Sequence, residues 1–153
     1  MKLTNRSEYA LLALIALARS YPKQLLSGEE LATSQSIPKR FLQQILIALK
    51  RGGFVRTVKG KDGGYALAKA PEEISVAEVV RFLEGPLAAT PSVSKNFYHP
   101  SPIEQEPGLV MLFREIRDRV AQILEETTLR DLIQPRSGTR TRTQPRNAGR
   151  THS

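Results

Sequence analysis

Apolar residues recur at helical spacing near the start of the chain. Tyr9, Leu12, Ala13, Ala16 and Leu17 form one stripe, and Leu11, Leu14 and Ile15 widen it until most of the girth is apolar. The spacing predicts a helix over residues 4–20, with Thr4 as its cap and Glu8 near its positive end. A helix so evenly apolar needs cover on several sides, which places it at the centre of a bundle or against a second subunit. Pro22 ends it, because the residue before a proline is biased away from the helical region.

Ser27-Gly28-Glu29-Glu30 has the spacing of a capping box and opens a brief helix over residues 29–33. Pro38 then suits the first turn of another helix, where its missing N–H costs no hydrogen bond. Behind it Phe41, Leu42, Ile45, Leu46 and Leu49 recur at three and four positions, while Lys39, Arg40, Gln43, Gln44 and Lys50 point elsewhere, and Gly52-Gly53 stops the run. Two short helices, the second beginning Pro-Lys-Arg, fit a helix-turn-helix, although any amphipathic helical hairpin gives the same periodicity. The next segment narrows the choice. Residues 54–58 form a strand candidate, residues 65–67 another, and the Lys59-Gly60-Lys61-Asp62-Gly63-Gly64 between them allows a tight turn with lysines at its tip. A hairpin in that place is the wing of a winged helix, and Arg56, Lys59 and Lys61 would meet phosphates or the minor groove.

After Pro71, Ser75-Val76-Ala77-Glu78 repeats the capping-box spacing for a helix through about Leu83, with Val76, Val79, Val80 and Leu83 facing inward. Periodicity fails over residues 87–108, which hold Pro91, Pro100, Pro102 and Pro107. Then Leu109, Leu112, Phe113, Ile116, Val120, Ile123 and Leu124 make a long helical stripe. Two-fold pairing with its own copy would cover that stripe, and packing back on its own domain is the alternative. Thr128 caps one more turn. The expected fold is mainly α with a small β-hairpin wing: a winged helix-turn-helix over residues 1–84, an irregular proline-rich loop over 85–108, a dimerisation helix and short terminal helix over 109–133, and a basic tail without a core over 134–153.

Charge sharpens this picture. The chain carries a formal +8, but five arginines and no acid lie in the last 20 residues, leaving about +3 on the other 133. An ordered part so mildly basic must concentrate its charge locally to bind nucleic acid. There is no cysteine, which removes disulfides, thiol nucleophiles and thiolate-held metal centres. An enzyme is not expected: only two histidines occur, far apart, with neither a phosphate loop nor paired carboxylates. The apolar run from Ala10 to Ala18 is too short to span a bilayer, and no secretory pattern precedes it, so a cytoplasmic protein without a membrane partner is expected.

With its elements in this order the sequence resembles the Rrf2 family of bacterial transcription regulators. The resemblance rests on Met1-Lys2-Leu3-Thr4 with Tyr9-Ala10, on Ile37, Phe41-Leu42, Gln44-Ile45 and Leu49, and above all on Gly53-Phe54-Val55 followed by Lys59 to Leu67, similar to the family's Arg-Gly-x-x-Gly-Gly-Tyr-x-Leu wing. Ile74-Ser75-Val76 and Thr128-Leu129-Arg130-Asp131-Leu132 also match. The resemblance implies a homodimer with crossed extended helices and two winged helices on a pseudo-palindromic operator, commonly as a repressor. Several members hold an iron-sulfur cluster through three cysteines before the dimerisation helix. Here that stretch has no cysteine and only His99, while Pro107 and Val110 stand where some relatives have ligands. Glu8, at a place where some relatives supply a carboxylate ligand, is accounted for as a charge at a helix N-terminus. No cofactor or metal is therefore expected. An effector, small molecule or protein, is left unnamed.

For double-stranded DNA, Pro38, Lys39 and Arg40 should lead into the major groove, with Gln43 and Gln44 one turn behind. Arg40 and Gln43 have the donors to read base edges, and Lys39 suits a phosphate. Ser27 and Ser36 would offer hydroxyl or backbone groups to phosphate at helix starts. Gln44 is balanced between this role and burial, since it borders the apolar face. A winged-helix adaptor for proteins and an RNA binder driven by the arginine tail are the competing functions.

Overall fold

A computed structural model describes residues 3–87 and 102–134. Helix α1 spans Asn5–Ser20, capped by Thr4, whose hydroxyl accepts from the Ser7 N–H. Its broad apolar girth is covered as its sequence demands, since Ala10, Ala13, Leu14 and Leu17 are almost fully buried and α1 packs against most of the other elements. Helix α2, Gly28–Gln35, runs two residues beyond its expected end, because Ile37 rather than Thr33 closes the turn behind it. Ile37 is buried and its N–H donates to the Ala32 carbonyl at 3.0 Å. Helix α3, Lys39–Arg51, stops at Gly52, and Gly53 takes φ 78°.

Strands β1, Val55–Val58, and β2, Gly64–Leu67, pair antiparallel with Val55 opposite Leu67 and Val58 opposite Gly64. A third segment joins them. Leu26 exchanges two backbone hydrogen bonds with Tyr65, at 2.7 and 3.0 Å, which ties the α1–α2 connection to the wing. This contact explains Gly64, and the turn itself explains Gly63. A Cβ at Gly64 would lie 2.7 Å from the Leu26 carbonyl oxygen, and one at Gly63 would collide with the Val58 carbonyl.

Helix α4, Val76–Glu84, starts at Ser75 with half of the expected capping box. The Ser75 hydroxyl accepts from the Glu78 N–H, but the Glu78 carboxylate lies 4.0 Å from the Lys69 ammonium. Helix α5, Pro107–Glu126, begins two residues before the apolar stripe and is about 30 Å long at 1.5 Å per residue. Helix α6, Leu129–Ile133, has the full box between Thr128 and Asp131.

Residues distant in sequence close the core. The Val76 N–H donates to the Thr127 carbonyl and the Leu129 N–H to the Ile74 carbonyl, so α6 returns to the body and Leu129 is 0% exposed among the residues around α1. Ser7, fully buried, donates to the Glu84 carboxylate at 2.6 Å, and Thr4 donates to the same oxygen. Val76, Ala77, Val80 and Leu87 form a second cluster, against which Ala121 and Leu124 of α5 pack. An Arg81–Glu125 ion pair lies beside that contact.

Candidate nucleic-acid interface

The turn between α2 and α3 fixes the presentation of α3. Ser36 adopts the left-handed conformation, φ 53°, as the residue after α2, and its N–H bonds back to Ala32 and Thr33. The Pro38 carbonyl then accepts from the Phe41 and Leu42 N–H groups, both at 3.0 Å. Behind this turn Leu42, Ile45, Leu46 and Leu49 bury one face of α3. Lys39, Arg40, Gln43, Gln44, Lys50 and Arg51 stand outward. The helix has four basic residues and no acid, so the local concentration of charge that the mild overall balance required is located here.

The wing adds a second basic element. Arg56, Lys59 and Lys61 are all exposed, the last two on the turn between β1 and β2. Lys39, Gln43 and Tyr65 line one cleft of about 200 Å³, so the leading end of α3 and strand β2 of the wing border the same cleft. Lys39 is 3.0 Å from Glu29, an exposed pair that a phosphate would compete with.

Of the two serines expected at helix starts, Ser27 is in the expected capping box and Ser36 is not at a helix start. Ser27 does begin α2, but its hydroxyl accepts from the Glu30 N–H and its own N–H donates to the Glu30 carboxylate. Ser36 ends α2 rather than opening α3. Gln44, balanced in sequence between burial and contact, is exposed and lines a cleft of about 290 Å³ with Asn5, Arg6, Tyr9 and Phe41. The Tyr9 and Phe41 rings are 6.2 Å apart there. Arg6, in the first turn of α1, is not placed beside α3 by any sequence spacing. A base in the first turn of a helix opposes the macrodipole, and that mismatch was the available clue that Arg6 belongs with α3. Arg51, eleven residues after Arg40 and so on the same side of α3, is also exposed.

The α5 stripe divides in two. Leu124 packs on the second cluster of its own chain, and Phe113 and Val120 are half-buried. Leu109, Leu112, Ile116 and Ile123 are exposed, Leu112 by 50% and Ile123 by 63%, and Met111, absent from the stripe read in sequence, by 70%. No residue of α5 is buried in the single chain. His99 and the arginines of the tail lie outside the described residues.

A helix-turn-helix followed by a paired hairpin, with a basic helix face beside the hairpin, defines a winged helix-turn-helix DNA-binding protein of the transcription-regulating class. The family model described as an iron-dependent transcriptional regulator, Rrf2, matches residues 3–135. The chain is 36% identical over 137 residues to an rrf2-like HTH-type transcriptional regulator of Rhodobacter capsulatus, covering 86% of this chain and 91% of that one. It is 31% identical over 136 residues to the HTH-type transcriptional regulator CymR of Bacillus subtilis, covering 86% and 89%. The solved structure of CymR, the global cysteine regulator of B. subtilis, superposes with a TM-score of 0.76 at 28% identity over 87% of this chain and 96% of the other. The chain belongs to the Rrf2 family of HTH-type transcription regulators, which are not enzymes, and is a member without cysteines.

The family's iron chemistry does not fit these residues. A cluster needs thiolates, and the chain has none. Among the described residues no three His, Cys, Asp or Glu side chains come together to hold a metal ion. Among them, too, no helix is long and apolar enough to cross a membrane.

Proposed function

We propose that the chain binds a pseudo-palindromic operator in double-stranded DNA as a homodimer and represses the promoter that contains it. The observation that carries this reading is the acid-free outer face of α3, where Arg40, Gln43 and Gln44 stand opposite the buried Leu42 and Leu49 and beside the basic wing. In this reading residues 1–84 carry recognition, α5 carries dimerisation through Leu109, Leu112, Ile116 and Ile123, and α6 fastens the end of α5 to the body. Two copies related by a two-fold axis would present two α3 helices to two half-sites. Repression is the direction proposed because occupancy of an operator overlapping a promoter needs nothing beyond binding. A small-molecule or protein effector would act without a thiolate-held cluster.

Arg40→Ala tests the assignment. Loss of a bidentate base contact is worth about 1–3 kcal/mol at one position of each half-site, and discrimination should relax at that position alone. Uniform weakening across all operator variants, with unchanged preference at every position, would remove Arg40 from the reading set. Binding to an RNA hairpin or a protein in preference to any duplex would favour the competing functions instead.

A further inference from the structure

Ile47 is the feature of α3 that its fold leaves without an account. It is 60% exposed, and it belongs to neither core cluster. At 3.6 residues per turn it projects within about 20° of Arg40 and roughly opposite Leu49, so it lies at the centre of the outward face rather than at its edge. Gln43, Gln44 and Arg51 surround it on that face, all exposed. Several other exposed large apolar residues have partners or a shared stripe: Phe41 meets Tyr9, Phe82 meets Phe54 at 5.7 Å, and Leu112, Ile116 and Ile123 lie along α5; Leu3, Tyr21 and Val58 are exposed as well, but none of them lies on α3. Singly exposed apolar residues are common on protein surfaces, so exposure alone assigns nothing. Position does: an apolar group framed by guanidinium and carboxamide donors faces whatever those donors read.

We infer that Ile47 is a specificity-determining residue that packs against the 5-methyl group of a thymine in each half-site. The inference rests on the operator reading above. Among the four bases only thymine presents an apolar group in the major groove, and that methyl is recognised by apolar side chains. A β-branched side chain suits the task, since its single preferred χ1 rotamer in a helix holds the methyl groups in place before binding. Arg40, seven residues earlier, is about 10 Å away along the helix axis, so the thymine should lie a few base pairs from the base that Arg40 reads.

The test uses the full-length chain and the operator recovered from a random duplex library. Each thymine of the half-site is replaced in turn by deoxyuridine, which lacks only the methyl. For the wild-type protein one such replacement should weaken binding about fourfold when made in a single half-site and about fifteenfold when made in both, the value of one buried methyl group at each contact. Ile47→Ala should bind the thymine operator more weakly and show no difference between thymine and deoxyuridine at that position. Its thermal unfolding and its affinity for unrelated duplex should match wild type, because Ile47 is outside the core. A half-site without thymine, indifference of the wild type to deoxyuridine everywhere, or undiminished methyl discrimination by Ile47→Ala would each overturn the inference while leaving sequence-specific binding intact. Failure to recover any motif would instead overturn the operator reading, and this inference with it.

Discussion

Leu112→Asp probes the dimer at the point where the structure allows its cost to be worked out. Leu112 is half exposed on α5 and belongs to neither core cluster of the described residues. Fully burying a leucine is worth about 1.5–3 kcal/mol, and covering the remaining half of this one contributes about 1 kcal/mol. Two-fold symmetry counts the contact twice, giving about 2 kcal/mol per dimer. Aspartate also places a carboxylate in each copy of the interface, where an unsatisfied polar group costs about 1–3 kcal/mol. A total of at least about 4 kcal/mol corresponds to a rise of roughly a thousandfold or more in the dimer dissociation constant. Sedimentation equilibrium across micromolar concentrations reads this directly, and retention of the helical circular dichroism signal shows that the monomer is folded. Leu124→Asp supplies the contrast. Because Leu124 packs on Val76, Ala77 and Val80 of its own chain, its replacement should lower stability as well as association. A wild-type chain that is monomeric at these concentrations, or a Leu112→Asp chain that dimerises within threefold of wild type, would refute the assignment of α5.

Other expectations follow from single contacts. Leu129→Ala should destabilise the protein by about 2–5 kcal/mol in urea unfolding, the range for fully buried leucines, and a loss below 1 kcal/mol would mean that α6 is not part of the core. Gly64→Ala should push the wing away from Leu26, costing about 1–3 kcal/mol and weakening DNA binding; unchanged stability would show that the Leu26–Tyr65 pairing is dispensable. Lys61→Ala should weaken binding to all duplexes and make the slope of log affinity against log salt shallower by about 0.9 per subunit, and an unchanged slope would take Lys61 away from phosphate.

What was legible in the sequence was local. Thr4, Ser27 with Glu30, Thr128 with Asp131, and Gly52-Gly53 mark helix ends because their chemistry acts within one turn, and each is found in that role. The hairpin was legible because its glycines and alternating apolar residues lie within a few positions of one another. What escaped was non-local. Leu26 pairs with Tyr65 through backbone groups that any residue has, so no residue type announced the third segment of the wing. The Ser7–Glu84 hydrogen bond joins positions 77 apart, and the Glu78 carboxylate left its expected capping role for a lysine that sequence spacing could not place beside it. The α5 stripe is one face in the sequence, but the structure gives Leu124, with Ala121 beside it, to the chain's own second cluster and leaves Ile123 exposed. The outward placement of Arg40, Gln43 and Gln44 on α3 was legible from helical periodicity. The place of Arg6 beside Gln44 was not, since only the packing of α1 on α3 brings it there.

The measurement that bears most directly on the central claim is selection of bound duplexes from a random DNA library by the purified chain at about 0.15 M salt, where non-specific phosphate attraction is screened. The account predicts an enriched motif with two-fold symmetry, its half-sites about one helical turn or a multiple of it apart. Binding without an enriched motif, or a motif lacking two-fold symmetry, would contradict a dimeric operator reader.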